Sequence, residues 1–515
     1  MSSVALYSAR GNSTSNPGDS QRLNGQSTTP LDAMPVAVYD LTEKSLRDAE
    51  NELVTLLGAE RVITSLGERI THSSTEWSVA PGGDLDRHSF IVHPKSTEEV
   101  SAIAKICHKR RIPMIAFSGG TSLEGTLAAT TRGGCCIDFQ LMNKVIQLHA
   151  KDMDVVVQPG VGFEELNAQL DPQGYFFPPD PGPGAQIGGM IGQGCSGTNA
   201  YRYGTMKDWV LGMTVVLADG TIVRTRNRPR KSSAGYNLTQ LMIGSEGTLG
   251  IVTEATLKLT SAPRNIRVAV LAFKTTQAAV DTAIEIVQND MPVAALELLD
   301  GFTMKAVNQA GYCDKQYPEI PTLFMKFAGH TPQSVQELID RVEDSAKRNG
   351  CQSLEFSKDD KEVAALWMAR KTALWSLLAM KENPEDKFLS ADAAVPISRL
   401  ADLVEETTEL LNKSGLIGSC LGHVGDGNFH TTVLYGGSDK DKARQIISTV
   451  QKRAIEMEGT ITGEHGIGLE YRDMLVNENG PGFVDMMRHV KLALDPYCLL
   501  NPDKLFRVNW DAKRD

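Results

Sequence analysis

The chain has 515 residues, too many for one hydrophobic core, and its 41% hydrophobic and 22% charged residues describe an ordinary globular protein of about two to four domains. A formal net charge of -11 with no basic stripe argues against nucleic acid as a partner, since such binding rests on neutralising phosphates. No apolar run approaches the roughly 18 residues that span a bilayer, and the eight cysteines show neither CxxC nor regular spacing. Neither a transmembrane segment, a disulfide frame nor a zinc ribbon is therefore expected.

Residues 1–38 open with a stretch rich in Ser, Asn, Gly and Thr and are expected to form a disordered tail. Its hydroxyls, few acids and two arginines loosely suit a transit peptide, although a basic amphipathic helix is lacking. A first domain is expected over 39–263. Its periodicity predicts a leading helix over 40–58, closed by Gly58. Residues 90–125 read strand, helix, strand, loop: Ser96 and Glu99 form a capping box, Val100, Ile103, Ala104, Ile106 and Cys107 mark the buried helix face, and "IPMIAF" is a short apolar strand. Strands follow at "GCCIDF", "DVVVQPG", "MTVVLADGTIVRT" (a hairpin with an Ala-Asp-Gly turn) and "LGIVTEATLKLT". Past Pro263, strands and helices alternate in "NIRVAVLAFKT", "TQAAVDTAIEIVQND", "PTLFMKFAGH", "PQSVQELIDRVEDSAKRNG", "HTTVLY" and "DKARQIISTVQKRAIEMEG". This predicts an α+β domain over 264–493, a ferredoxin-like sheet with helices on one face. Residues 494–515 include "LDPYCLLNPDKLF", too apolar for a free end, and are expected to dock back.

Gly192, Gly194 and Gly197 spell GxGxxG, the fingerprint of a nicotinamide fold. That fingerprint works only between a buried strand and an amphipathic helix whose N-terminus meets a pyrophosphate. Here "PPDPGPGAQ" precedes and "TNAYRYGTMKDW" follows, and neither fits. The glycines instead belong to a set of three segments: 117–125, 187–197 and 243–252. One such loop is ordinarily a turn, but three point to a long diphosphate ligand approached closely by backbone amides and hydroxyls.

A second group lies in "GHVGDGNFH" and "GTITGEHGIG", which hold His423, His430, Glu464 and His465, three of only ten histidines. A His-x6-His pair alone is more often structural. A carboxylate beside a third histidine strengthens the alternative, a catalytic divalent site for Zn²⁺ or Mn²⁺. Arg370, in "LWMARKTALW", reads by itself as a solvated helix residue.

Together with "YNLTQLMIGSEGTLGIVTEATLKL" and "LNPDKL", these motifs run in an order that resembles the FAD-dependent D-2-hydroxy-acid dehydrogenases over about residues 45–509. The resemblance implies an α+β protein with an FAD-binding domain of the vanillyl-alcohol-oxidase type and a C-terminal substrate domain, the chain's end docking towards the flavin. It implies Ser118, Gly119, Gly120, Thr121 and Ser122 on the pyrophosphate, Gly188, Gly189, Ser196 and Gly197 along the flavin, and Glu246, Gly250 and Val252 in a third loop. His423, His430 and Glu464 would be ligands of a divalent metal, His465 the catalytic base, and Arg370 the clamp on the substrate carboxylate. Phe117-Ser118 departs from a pattern in which relatives often carry another glycine or a basic residue. The implied reaction is oxidation of D-lactate or a related D-2-hydroxy acid, with hydride passing to FAD and electrons to cytochrome c in mitochondria, the cytosol remaining open. FAD is expected to be non-covalent, since the first loop has no histidine or cysteine. D-2-hydroxyglutarate dehydrogenation and a non-catalytic flavin or metal scaffold are the alternatives. Relatives acting on 2-hydroxyglutarate carry a lysine where this chain has Ser390, and the serine favours the smaller acid.

Overall fold

The computed structural model describes Thr29, residues 31–74 and residues 86–507. Of the expected tail, residues 1–28 and 30 lie outside the described residues. Leu31–Ala33 forms a 3-10 turn, and Met34 is buried in the core of the second half of the chain.

Two sheets build the first half. One has four strands, in the order Val62–Ile63, Phe90–Val92, Cys135–Asp138 and Met114–Phe117, the last three parallel. The other is antiparallel with five strands, in the order Val145–His149, Asp154–Val157, Ile251–Lys258, Val210–Val216 and Ile222–Arg224. The helix Thr97–Arg110 joins them. Its Val100, Ile103, Ala104 and Cys107 are buried as the periodicity requires, while Thr97 and Ser101 hydrogen-bond Thr253 and the Gly220 carbonyl of the five-stranded sheet. The capping box is half formed: Ser96 accepts the Glu99 amide, but the Glu99 carboxylate is held by Arg61 and the Lys95 amide. The leading helix is Glu43–Leu57, capped by Thr42 and ended by Gly58 at φ 92°.

The second half folds on one antiparallel sheet of seven strands. Its first four, Arg267–Phe273, Ala295–Leu299, Thr322–Phe327 and Cys351–Phe356, lie in the ferredoxin-like order fourth, first, third, second. Gly418–Gly422, Asn428–Tyr435 and Lys387–Ala394 extend it. Helices cover both faces, not one as expected. Thr276–Gln288, Pro332–Arg348, Leu400–Ser414 and Lys440–Glu456 pack on the face of Leu271, Leu323 and Met325. Gly301–Ala310 and Asp360–Lys371 pack on the face of Val268, Val270 and Phe324. Alternate residues of each strand thus feed two separate cores, which is why the strands read as nearly continuous apolar runs.

The last described segment does dock. Met114 accepts from the Asn501 amide and donates to the Leu499 carbonyl, so Leu499–Asn501 covers the open edge of the Met114–Phe117 strand. Lys491, fully buried, donates to Asp495 and to the carbonyls of Thr248 and Leu500, tying this segment to the third glycine loop.

Candidate active site

The three glycine segments meet. The strand Met114–Phe117 runs straight into the first, and the amides of Ser118 to Ser122 donate to no acceptor among the described residues. Five adjacent unspent donors form the kind of concavity that takes an anion. A Cβ on Gly188 would lie 2.7 Å from Ser118 Oγ, so glycine there lets the first two segments touch, and one on Gly119 would lie 2.4 Å from the Gly184 carbonyl, in the stretch that leads into the second. Gly189 packs beside Ser118, and Thr121 beside Gly184. The third segment follows through hydrogen bonds from the amides of Gly244 and Glu246 to the carbonyls of Ile191 and Gly192. Beyond them, Gly250 leads into the strand where Val252 pairs with Val215.

The GxGxxG stretch is the end of a helix, not its beginning. Ile187–Gln193 is helical and stops at Gly194, φ 66°, so the helix presents its carbonyl end there. Single turns, Ala200–Tyr203 and Met206–Trp209, follow. The nicotinamide reading fails for the physical reason that its anion-binding helix N-terminus is in the wrong place.

The histidines stand on the seven-stranded sheet. His423 begins the turn between Gly418–Gly422 and Asn428–Tyr435, and His430 lies within the second of these strands. His423 Nε2 is 3.2 Å and His430 Nε2 3.3 Å from the same atom, Glu464 Oε1. Among the described residues these three side chains form the one group able to hold a metal ion, with ligand atoms within 4.8 Å of one another. Two imidazole nitrogens and a carboxylate leave positions open, as a catalytic site requires. His423 Nδ1 is bonded to Glu297 at 2.8 Å, which turns Nε2 towards the cluster, and Glu464 Oε2 accepts from Ser196 Oγ at 2.6 Å. Such outer partners orient metal ligands.

Asp392, opposite His430 in register and fully buried, accepts from the amides of Glu464 at 2.6 Å and His465 at 2.8 Å and from Asn428 Nδ2 at 2.6 Å. It fixes the backbone of the Glu464-His465 pair. The His465 ring stacks on His430 with centroids 5.0 Å apart, and its Nδ1 lies 3.6 Å from Glu124 Oε1. Burial opposes charge on His423 and His465, but Glu297 and Glu464 hold His423 well above the usual imidazole range, while Asp392, Glu124 and Glu464 raise His465 to about 9. Burial likewise opposes ionisation of Glu464, yet His423 and His430 keep it well below the usual carboxylate range. Glu124, buried with both oxygens unbonded, is pushed up to about 7 by desolvation.

Arg370 is not a solvated helix residue. Its Nε and Nη2 both bond Glu297 Oε2, at 2.9 and 2.8 Å, so one carboxylate carries both Arg370 and His423. The loop of Glu464 to Gly468 then meets the glycine segments. Glu246 accepts the amides of Ile467 (2.6 Å) and Gly468 (2.9 Å), and the Glu124 carbonyl accepts from Leu469. Ser196, expected along the flavin, and Glu246, expected in the third loop, spend their side chains on this loop. The histidine cluster and the glycine cradle are one site.

Glu297 and Asp392 lie outside the motifs, and Glu124 lies inside the first glycine segment with no role expected of it. Glu297 and Asp392 are lone acids in otherwise apolar or small strands, "ALELL" and "LSADAA", and that pattern signals a buried carboxylate needing a partner.

Comparison with known proteins agrees with this geometry. A family model described as an FAD binding domain matches residues 88–226, and another, FAD linked oxidases, C-terminal domain, matches residues 262–505. The mitochondrial D-lactate dehydrogenase (cytochrome) of Kluyveromyces lactis is 48% identical over 85% of this chain and 77% of that one. The chain belongs to the FAD-dependent D-2-hydroxy-acid dehydrogenase family. D-lactate dehydrogenase (cytochrome) 1 of Saccharomyces cerevisiae, also mitochondrial, is 46% identical over 85% of this chain and 76% of that one. Among solved structures, 4-ethylphenol oxidase from Gulosibacter chungangensis superposes with a TM-score of 0.75 over 92% of this chain and 99% of that one at 18% identity, which establishes the vanillyl-alcohol-oxidase-type fold. This family member is an FAD-dependent oxidoreductase. Among its described residues no helix is long and apolar enough to cross a membrane.

Proposed function

We propose that this dehydrogenase oxidises D-lactate, or a closely related D-2-hydroxy acid, to the 2-oxo acid in mitochondria and passes the electrons to cytochrome c. The observation that carries this reading is the insertion of the Glu464–Gly468 loop between the first and third glycine segments, which sets Glu464 and His465 against the flavin cradle, with His423 and His430 at Glu464 and Arg370 joined to His423 through Glu297. The amides of Ser118 to Ser122 hold the FAD pyrophosphate, and Gly188, Gly189 and Gly197 admit its close approach. The cofactor is held non-covalently: His72, which packs against Phe117, has both ring nitrogens engaged, with the Glu68 carbonyl and with Asp138.

His423, His430 and Glu464 hold a divalent cation, Zn²⁺ or Mn²⁺. FAD, when bound, accepts the hydride, and the cation, when bound, polarises the substrate hydroxyl. Arg370 takes the substrate carboxylate with its remaining donors and so decides which face of Cα is presented. His465 in its neutral form removes the hydroxyl proton; the charge of the cation, when bound, opposes the ring's raised affinity for a proton, the ring stacks on His430 beside Glu124, and its backbone is held by Asp392. Chelation followed by flavin spectroscopy tests the metal: D-lactate should no longer reduce a flavin that is still bound, and added Zn²⁺ or Mn²⁺ should restore reduction. Full activity in rigorously metal-free protein would make the three ligands structural.

A further inference from the structure

Opposed residues share one face of a sheet, and on the face that carries the site the strand pairings place Phe324 against Glu297 and Lys326 against Ala295. Lys326 is therefore the diagonal neighbour of Glu297, roughly 7–8 Å away at Cβ and within reach for a long side chain. Among the described residues no carboxylate forms an ion pair with it. Its ammonium lies 3.9 Å from the centroid of the Trp367 ring instead. Trp367 and Arg370 are three apart on the helix Asp360–Lys371, hence on one helical face, so the ring that seats Lys326 also aims it beside the guanidinium.

The charges explain what such a lysine is for. Arg370 sets two of its nitrogens on Glu297, a carboxylate it shares with His423, and among the described residues no acceptor takes its Nη1. The acids that act on Lys326 are Asp180 and Glu297, and Glu297 is already shared by Arg370 and His423. An anionic substrate entering this field needs a cation that is not already paired, and a buried ammonium without a partner is costly unless a ligand repays it. The cation–π contact offsets only part of that cost.

We infer that Lys326 is a second substrate-binding cation, which with Arg370 grips the carboxylate of the 2-hydroxy acid. The inference rests on the reading of the site as a 2-hydroxy-acid pocket, and the experiment separates the two. Lys326→Met keeps the apolar stem and removes the charge, and Lys326→Arg keeps the charge. In the FAD- and metal-loaded enzyme, Lys326→Met should raise the D-lactate concentration for half-maximal anaerobic flavin reduction, and the Kd of oxalate read from the flavin spectrum, by about tenfold to a hundredfold, the range of one charge-assisted hydrogen bond. The limiting reduction rate should change less than about threefold, and Lys326→Arg should recover most of the affinity. Lys326→Gln gives the same reading should the methionine variant not fold. Unchanged half-saturation and oxalate affinity, with or without a lower Tm, would overturn the inference and leave Lys326 a prop for Trp367. If no hydroxy acid reduces the wild-type flavin yet oxalate binding still weakens in Lys326→Met, Lys326 stands as a carboxylate site and the substrate reading falls.

Discussion

Arg370 and His423 are joined through a single carboxylate: Glu297 Oε2 accepts from Arg370, and Glu297 Oε1 is 2.8 Å from His423 Nδ1. The group assigned to the substrate and a group assigned to the metal therefore share an anchor, buried in the strand Ala295–Leu299. Glu297→Gln keeps the shape and removes the charge. It should weaken metal retention on dialysis and slow flavin reduction, each by about 10- to 100-fold, the usual effect of losing an outer partner of a metal ligand. Unchanged metal content and rate would show that the two groups act separately.

Among the described residues the His465 ring has no hydrogen bond to a backbone carbonyl, and its neighbours are His430, on which it stacks, and Glu124. His465→Ala should slow anaerobic flavin reduction by roughly 10²–10⁴-fold, the span of a general base, with FAD and metal retained. A reduction rate equal to wild type would remove it from the mechanism.

Burial raises Glu124 to about 7 in the folded chain, above its ordinary value of 4.5. Between those values the folded chain keeps a proton that the unfolded chain has lost, so this group's contribution is fully present below 4.5 and is lost as pH rises through about 7. The loss is on the order of 3 kcal/mol. Glu124→Gln is neutral throughout, so its Tm relative to wild type should climb by a few degrees between about pH 5 and about pH 8. Parallel melting curves at both pH values would contradict the assignment.

Ser390 lies on the same strand face as Asp392, two residues away, and its hydroxyl is 3.5 Å from that of Thr432. It supplies no charge for a distal carboxylate. Lys371 is exposed and on another side of its helix from Arg370. With Arg370 and Lys326 both taken by the first carboxylate, a second substrate carboxylate would remain unpaired, and kcat/KM should favour D-lactate over D-2-hydroxyglutarate by about ten- to a hundredfold. Steady-state kinetics with the two acids decide the point.

Much of the site is legible in the sequence because glycine and histidine are read locally: Gly119 and Gly188 sit where no side chain fits, and His423 and His430 flank one turn. What cannot be read is pairing across long separations. Glu297 meets Arg370 and His423, and Asp392 meets Glu464, only after strands from different parts of the chain assemble. The one-sided helix layer failed for a related reason. The strand Ala295–Leu299 is buried on both faces, so its pattern is continuous and does not reveal that helices pack on each side.

The most direct test of the whole account is anaerobic mixing of the purified enzyme with D-lactate and, separately, L-lactate, followed at the flavin absorbance. The account predicts that D-lactate bleaches the flavin and that L-lactate leaves it oxidised, because Arg370 and His465 fix one face of Cα. A flavin that stays oxidised with D-lactate, or is bleached equally by both, would contradict it.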